Sequence, residues 1–75
     1  MKNHYVTFGQ THTHRVDGQT LDCDTVAVFM AESDADGRNK AFELFGPKFF
    51  TDYHDKQWDE SSLVYFPKGY VFLNL

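Results

Sequence analysis

The stretch Phe8-Gly9-Gln10-Thr11-His12-Thr13-His14-Arg15-Val16-Asp17-Gly18-Gln19-Thr20-Leu21-Asp22-Cys23-Asp24 decides how this chain folds. Asp17-Gly18, set between Arg15-Val16 and Gln19-Thr20, is the signal for a type I′ turn, whose two central positions need φ > 0. Two strands therefore run back from it side by side. Upstream, His4-Tyr5-Val6-Thr7-Phe8-Gly9-Gln10 is rich in β-formers and predicts a first strand over residues 4–10. Downstream, Thr25-Val26-Ala27-Val28-Phe29-Met30-Ala31 is an almost continuous apolar run, which predicts a central strand covered on both faces. If Val16 faces Gln19, then His14 faces Leu21, His12 faces Cys23, Phe8 faces Ala27 and Val6 faces Phe29. Alternation gathers His12, His14 and Cys23 on one face with Phe8 and Phe29, and turns Asp22 and Asp24 away. A bulge at Gly9 reverses that assignment.

Beyond the hairpin, Ser33 or Asp34 is placed to cap a helix over residues 35–45, with Asp34 and Asp36 near its positive end. Ala35, Arg38, Ala41, Phe42 and Phe45 fall at helical spacing, an apolar face with Arg38 at its edge. Gly37 costs ~1 kcal/mol of helix propensity against Ala, and permits a close approach to the sheet. Gly46-Pro47 ends the helix in the expected order. A third strand is expected at 48–54, then a polar loop at 55–62 holding the lone Trp58. Leu63-Val64-Tyr65-Phe66 and Tyr70-Val71-Phe72-Leu73 read as further β segments around the Pro67-Lys68-Gly69 turn. The order β-β-α-β-β-β predicts an α+β fold. It is a single domain over 1–75, an antiparallel sheet of four to five strands with one α-helix on one face.

A chain of 75 residues carrying a net charge of −4 lacks the clustered Lys and Arg of a nucleic-acid binder. Direct nucleic-acid contact is therefore not expected. A single cysteine allows no internal disulfide, which favours a reducing compartment. No basic-then-apolar leader opens the sequence, and no apolar run reaches the ~18 residues of a membrane span. A cytoplasmic protein without membrane contact is expected.

Four constellations bear on chemistry. His12 and His14 form an HxH pair on one side of a strand, and Cys23 would add a third ligand to an open zinc site. The bland alternative is a polar hairpin arm with a small buried cysteine. His12 beside Cys23 would also lower a thiol pKa, but a nucleophile needs an orienting group, an oxyanion hole and a cleft. Asp22/Asp24 and Asp34/Asp36 are accounted for by a turn and a helix cap. No phosphate-binding loop, dinucleotide fingerprint or CxxC occurs, so no enzyme is expected. The fourth constellation is Tyr53, Trp58, Tyr65 and Tyr70 with Asp52, Asp55, Asp59 and Glu60 interleaved, aromatic anchors among acids, in which Asp52, Tyr53, Asp55, Trp58, Asp59 and Glu60 are the expected partner-binding residues. They suit a partner with a basic surface.

Across Tyr5-Val6-Thr7-Phe8-Gly9-Gln10-Thr11-His12-Thr13-His14-Arg15-Val16-Asp17-Gly18, Val26-Ala27-Val28, Lys40-Ala41-Phe42-Glu43-Leu44-Phe45-Gly46, Trp58-Asp59-Glu60-Ser61 and Phe66-Pro67-Lys68-Gly69-Tyr70, the chain resembles small proteins encoded in tailed-phage and prophage genomes. That resemblance implies an acidic interaction protein acting in the cytoplasm of a host cell. It would bind and block a host protein, including nucleic-acid-handling defence complexes, as anti-restriction and anti-CRISPR proteins do. Two alternatives stand beside it: the zinc-binding module above, and a homodimer built through an edge strand such as residues 70–75.

Overall fold

In the computed structural model, which describes residues Met1–Asn74, the chain runs β1 (Lys2–Thr7), β2 (His14–Val16), β3 (Gln19–Leu21), β4 (Thr25–Ala31), α1 (Asp34–Phe45), β5 (Thr51–His54), a 3-10 helix (Glu60–Tyr65) and β6 (Gly69–Phe72). The architecture is α+β: α1 lies on a four-stranded sheet of order β5-β1-β4-β6, and β2-β3 form a separate two-stranded sheet. The last residue of the expected 70–75 edge strand, Leu75, lies outside the described residues.

The Asp17-Gly18 turn forms as expected, with both residues at positive φ (52° and 76°), and the hairpin keeps its register, Val16 on Gln19 and His14 on Leu21. The first strand, however, ends at Thr7. A tight turn closes at Gly9–His12, where His12 N–H donates to the Gly9 carbonyl at 2.9 Å. The β1–β4 ladder is consequently shifted, with Val6 on Ala27 and His4 on Phe29. A displacement by an even number of residues leaves each side chain on its face.

Two departures from expectation share one cause. Residues 60–65 form a 3-10 helix where the end of a loop and a strand over 63–66 are expected, because Asp59 caps the segment by accepting from Ser61 N–H at 3.0 Å. The chain thus crosses the open face of the sheet from the β5 edge to the β6 edge without adding a strand. It arrives at the end where β4 begins. β6 therefore pairs parallel to β4, and the sheet is mixed rather than antiparallel.

One face of the sheet carries His4, Val6, Ala27, Phe29, Val71 and Leu73 against the helix, and the core closes with Phe8, Leu21, Ala41 and Phe45. Ser33 Oγ caps α1 by accepting from Asp36 N–H at 3.1 Å, and Asp36 in turn accepts from Glu32 N–H. The buried helical positions are Gly37, Ala41 and Phe45, a stripe rotated from the expected one; Ala35 and Phe42 are exposed. The rotation follows from Gly37. A Cβ there would collide with the His4 ring, so only glycine lets the first turn sit directly on β1.

Candidate functional site

The sheet's second face carries Tyr5, Val26, Val28, Met30, Tyr70 and Phe72, since these alternate with the helix-facing set. The connection through residues 55–68 folds over half of it. Trp58 stacks on Tyr5 with centroids 5.1 Å apart and donates its indole N–H to the Tyr70 hydroxyl at 2.9 Å. Tyr53 meets the same indole edge-on at 5.4 Å. Trp58 is thus half-buried, a packing residue first and a contact residue only along its outer edge.

That outer edge forms one wall of a groove of about 300 Å³. Tyr53, Tyr65 and Phe66 supply the other apolar surfaces, with Gln57 and Asp59 at the polar rim. Tyr65 and the adjacent Val64 are each 76% exposed, an unusual outlay of apolar surface for six residues of 3-10 helix. Glu60 is exposed on the same helix. Asp59 has its carboxyl held below the usual range by the Ser61 hydroxyl and then the Ser61 N–H. An aromatic trough with the Asp59 carboxylate in its lining is suited to a cationic side chain, which gains from both the ring faces and the charge.

The six residues expected to form one partner surface are divided between two faces. Tyr53, Trp58 and Asp59 line the groove, with Glu60 exposed close by. Asp52 lies on the helix side of β5, where its Oδ2 accepts from His4 Nε2 at 2.8 Å. Asp55 sits near His54, 3.8 Å from its Nδ1, beside the first turn of α1. The reason is strand alternation: Asp52 and Tyr53 are neighbours in sequence and therefore point oppositely. Tyr65, expected among the aromatic anchors, lines the groove beside Phe66, although the β-forming composition of both suggests a strand. The cap signal at Asp59 is the clue to their true place.

On the helix side a polar cleft of about 470 Å³ is lined by His4, Asp34, Arg38, Asp52, His54 and Gln57. His54 lies 3.6 Å from Asp34, and its Nδ1 accepts from Lys56 N–H at 3.2 Å. His4 is only 2% exposed, and its Nδ1 faces Gly37 with no hydrogen-bond partner among the described residues. With Nε2 donating to a carboxylate and Nδ1 shut against backbone, neither ring nitrogen is free to meet a ligand. The His4–Asp52 pair ties β1 to β5. The period-two run His4, Val6, Phe8 is the sequence signal that this histidine faces the core.

The expected zinc ligands do not come together. His12 Nδ1 accepts from Gly9 N–H at 3.1 Å, His14 Nε2 bonds the Lys48 carbonyl at 2.7 Å, and Cys23 Sγ is 3.8 Å from Asp24 Oδ1. His14 packs its ring on Phe45 at 5.0 Å and Phe8 at 5.6 Å, docking the hairpin on the end of the helix. Among the described residues no three His, Cys, Asp or Glu side chains form a group able to hold a metal ion. The turn at Gly9–His12 is responsible, because it removes His12 from any ladder with Cys23. Asp22 acts as a structural tie. Its carboxyl binds Lys68 Nζ at 2.8 Å and accepts from Asp24 N–H, joining the β3–β4 turn to the start of β6.

Comparison of the chain with protein-family models, with curated proteins and with solved structures finds no match. Among the described residues no helix is long and apolar enough to cross a membrane.

Proposed function

We propose that this is a non-enzymatic interaction protein that binds and inhibits a host protein bearing a basic surface. Its groove between Trp58 and Tyr65 would receive an arginine or lysine side chain of that partner. The observation that carries this reading is the groove itself: aromatic walls, exposed Val64 and Tyr65, and the carboxylates of Asp59 and Glu60 at hand. A net charge of −4 adds a long-range attraction for a basic partner. The resemblance to phage-encoded proteins favours a nucleic-acid-handling defence complex of the restriction or CRISPR kind as the target. Such complexes present basic grooves to nucleic acid, which an acidic protein could occupy.

Trp58 is the sole tryptophan, so its fluorescence reports on the groove directly. Titration with an arginine-rich peptide is expected to change Trp58 emission saturably, with affinity falling as salt rises, while an acidic peptide has no effect. Glu60→Lys and Tyr65→Ala are each expected to weaken the response without altering the fold. An unresponsive Trp58, or a response untouched by both substitutions, sinks the proposal. With the host target in hand, the same two variants are expected to lose inhibition.

A further inference from the structure

The 55–68 connection covers only part of the sheet's second face. Past Trp58 and Tyr70 no other described segment covers the face. Phe72 is 65% exposed and Met30 45%, and a groove of about 260 Å³ runs between β1, β4 and the end of β6, lined by Asn3, Val28, Met30, Phe72 and Asn74. Among the described residues β6 is an edge strand, paired to β4 alone.

Leu73 N–H donates to the Val28 carbonyl at 2.8 Å, so Val71 and Leu73 direct their backbone groups at β4. By alternation, Tyr70 and Phe72 turn both N–H and C=O outward. Proteins guard such an edge with charge, proline or a bulge. β6 reads Gly-Tyr-Val-Phe and has none of these. The opposite edge, β5, reads Thr-Asp-Tyr-His and presents Asp52 and His54. Only one edge of this sheet is left unguarded.

We infer that β6 is the interface for a second copy of this chain. The two β6 strands pair antiparallel about a two-fold axis at Val71. Tyr70 of each copy then exchanges N–H and C=O with Phe72 of the other, satisfying every outward group of the strand's centre. In this register Phe72 of one copy lies against Tyr70 of the other, on the same sheet face as Met30. The exposed Phe72 side chains are thereby covered, and the open groove beside them is closed by the partner's ring. The strand's own chemistry selects this occupant: β6 carries no charged side chain to draw an ionic partner, and a second β6 matches it in backbone groups and in the Tyr70–Phe72 contact. Net charge of −4 opposes the association of two chains, and that repulsion is least along a stretch without acids. β6 is such a stretch. A basic partner, by contrast, finds no carboxylate on this edge strand.

The test is the oligomeric state of the full chain by light scattering across concentration. A reversible dimer of the 8.7 kDa chain is expected. Phe72→Lys should raise its dissociation constant by at least about tenfold, whereas Val64→Lys, an equally solvent-facing apolar site on the 3-10 helix, should leave it unchanged. Amide hydrogen exchange on the unaltered protein gives a second readout that does not depend on a variant folding. Tyr70 and Phe72 N–H groups should exchange freely when dilute and become protected when concentrated. A monomer at all concentrations, a dimer indifferent to Phe72→Lys, or outward amides that never gain protection would each overturn the inference. The groove at Trp58 is a separate surface, so failure here leaves the proposed function standing, and the reverse holds too.

Discussion

His4 on β1 and Asp52 on β5 are joined Nε2 to Oδ2 at 2.8 Å across a diagonal of the sheet, and the imidazole is wholly buried while the carboxylate reaches the cleft. A buried donor bonded to a carboxylate is expensive to leave unpaired. Asp52→Ala should therefore cost about 2 kcal/mol, read as a fall in Tm of roughly 8–16 °C for a chain of this size. Asp52→Asn keeps an oxygen acceptor and should cost less than half as much. Urea or thermal unfolding followed by circular dichroism decides it. Equal losses for the two substitutions would mean that packing, not the hydrogen bond, holds the pair.

Gly37 supplies a case where local preference and packing disagree. On an exposed helix, Gly→Ala would stabilise by ~1 kcal/mol. Here the new methyl meets the His4 ring, which Asp52 holds in place, so Gly37→Ala should instead destabilise by about 1–3 kcal/mol. In a His4→Ala background the obstacle is gone, and the same substitution should become stabilising. A double-mutant cycle measures this reversal of sign. Additive effects would show that the helix does not rest on β1 through these two residues.

Acid should destabilise the protein through identifiable carboxyls. Asp22 is held below its ordinary value chiefly by Lys68 and then by Asp24 N–H. Asp36 is lowered chiefly by Glu32 N–H and then by Lys40, and Asp59 by the Ser61 hydroxyl and N–H. In each case the folded chain binds its proton less readily than the unfolded chain. The contribution to stability is complete above the unfolded value near about 4, and is lost as pH falls through the folded one. The urea midpoint should accordingly drop below pH ~4, with a shallower drop in Asp22→Asn. Lys68 is raised by Asp22, so that link has a second limit: it weakens as pH climbs through the raised lysine value. A midpoint as high in strong acid as at neutral pH would contradict this account.

The legible parts of this fold were those written in local chemistry. Asp17-Gly18 demanded φ > 0 and took it, Ser33 and Gly46 bounded the helix, and the apolar run Thr25–Ala31 became the buried centre of the sheet. What could not be read was set by contacts between distant segments. Extending the register from the turn holds to His14–Leu21 but fails from His12 onward, where a hydrogen-bonded turn at Gly9–His12 absorbs residues that a continuous ladder would have paired. The metal set failed with it. Val64 and Tyr65 have strand propensity, yet the Asp59 cap and the need to cross the sheet made them helical, which also decided that β6 is parallel. Of the six residues expected to form a partner surface, Trp58, Tyr53 and Asp59 line one groove; Asp52 is separated from them by the pleat alone.

Trp58 is held on the sheet by two contacts of different kinds, and they should fail differently. The Tyr70 hydroxyl accepts the indole N–H at a half-buried position, so Tyr70→Phe should cost about 1 kcal/mol and leave the ring in place. Tyr5 provides the stacking surface, 13° from parallel, and Tyr5→Ala removes that surface together with the cover over β1. A loss of about 3 kcal/mol or more is expected there. Fluorescence separates the two. Tyr5→Ala should shift Trp58 emission to the red as water reaches the ring, and Tyr70→Phe should change it little. If Tyr5→Ala leaves both stability and emission unaltered, the 55–68 connection does not depend on this stack. The groove built on Trp58 would then lack the rigid floor that binding a partner side chain requires.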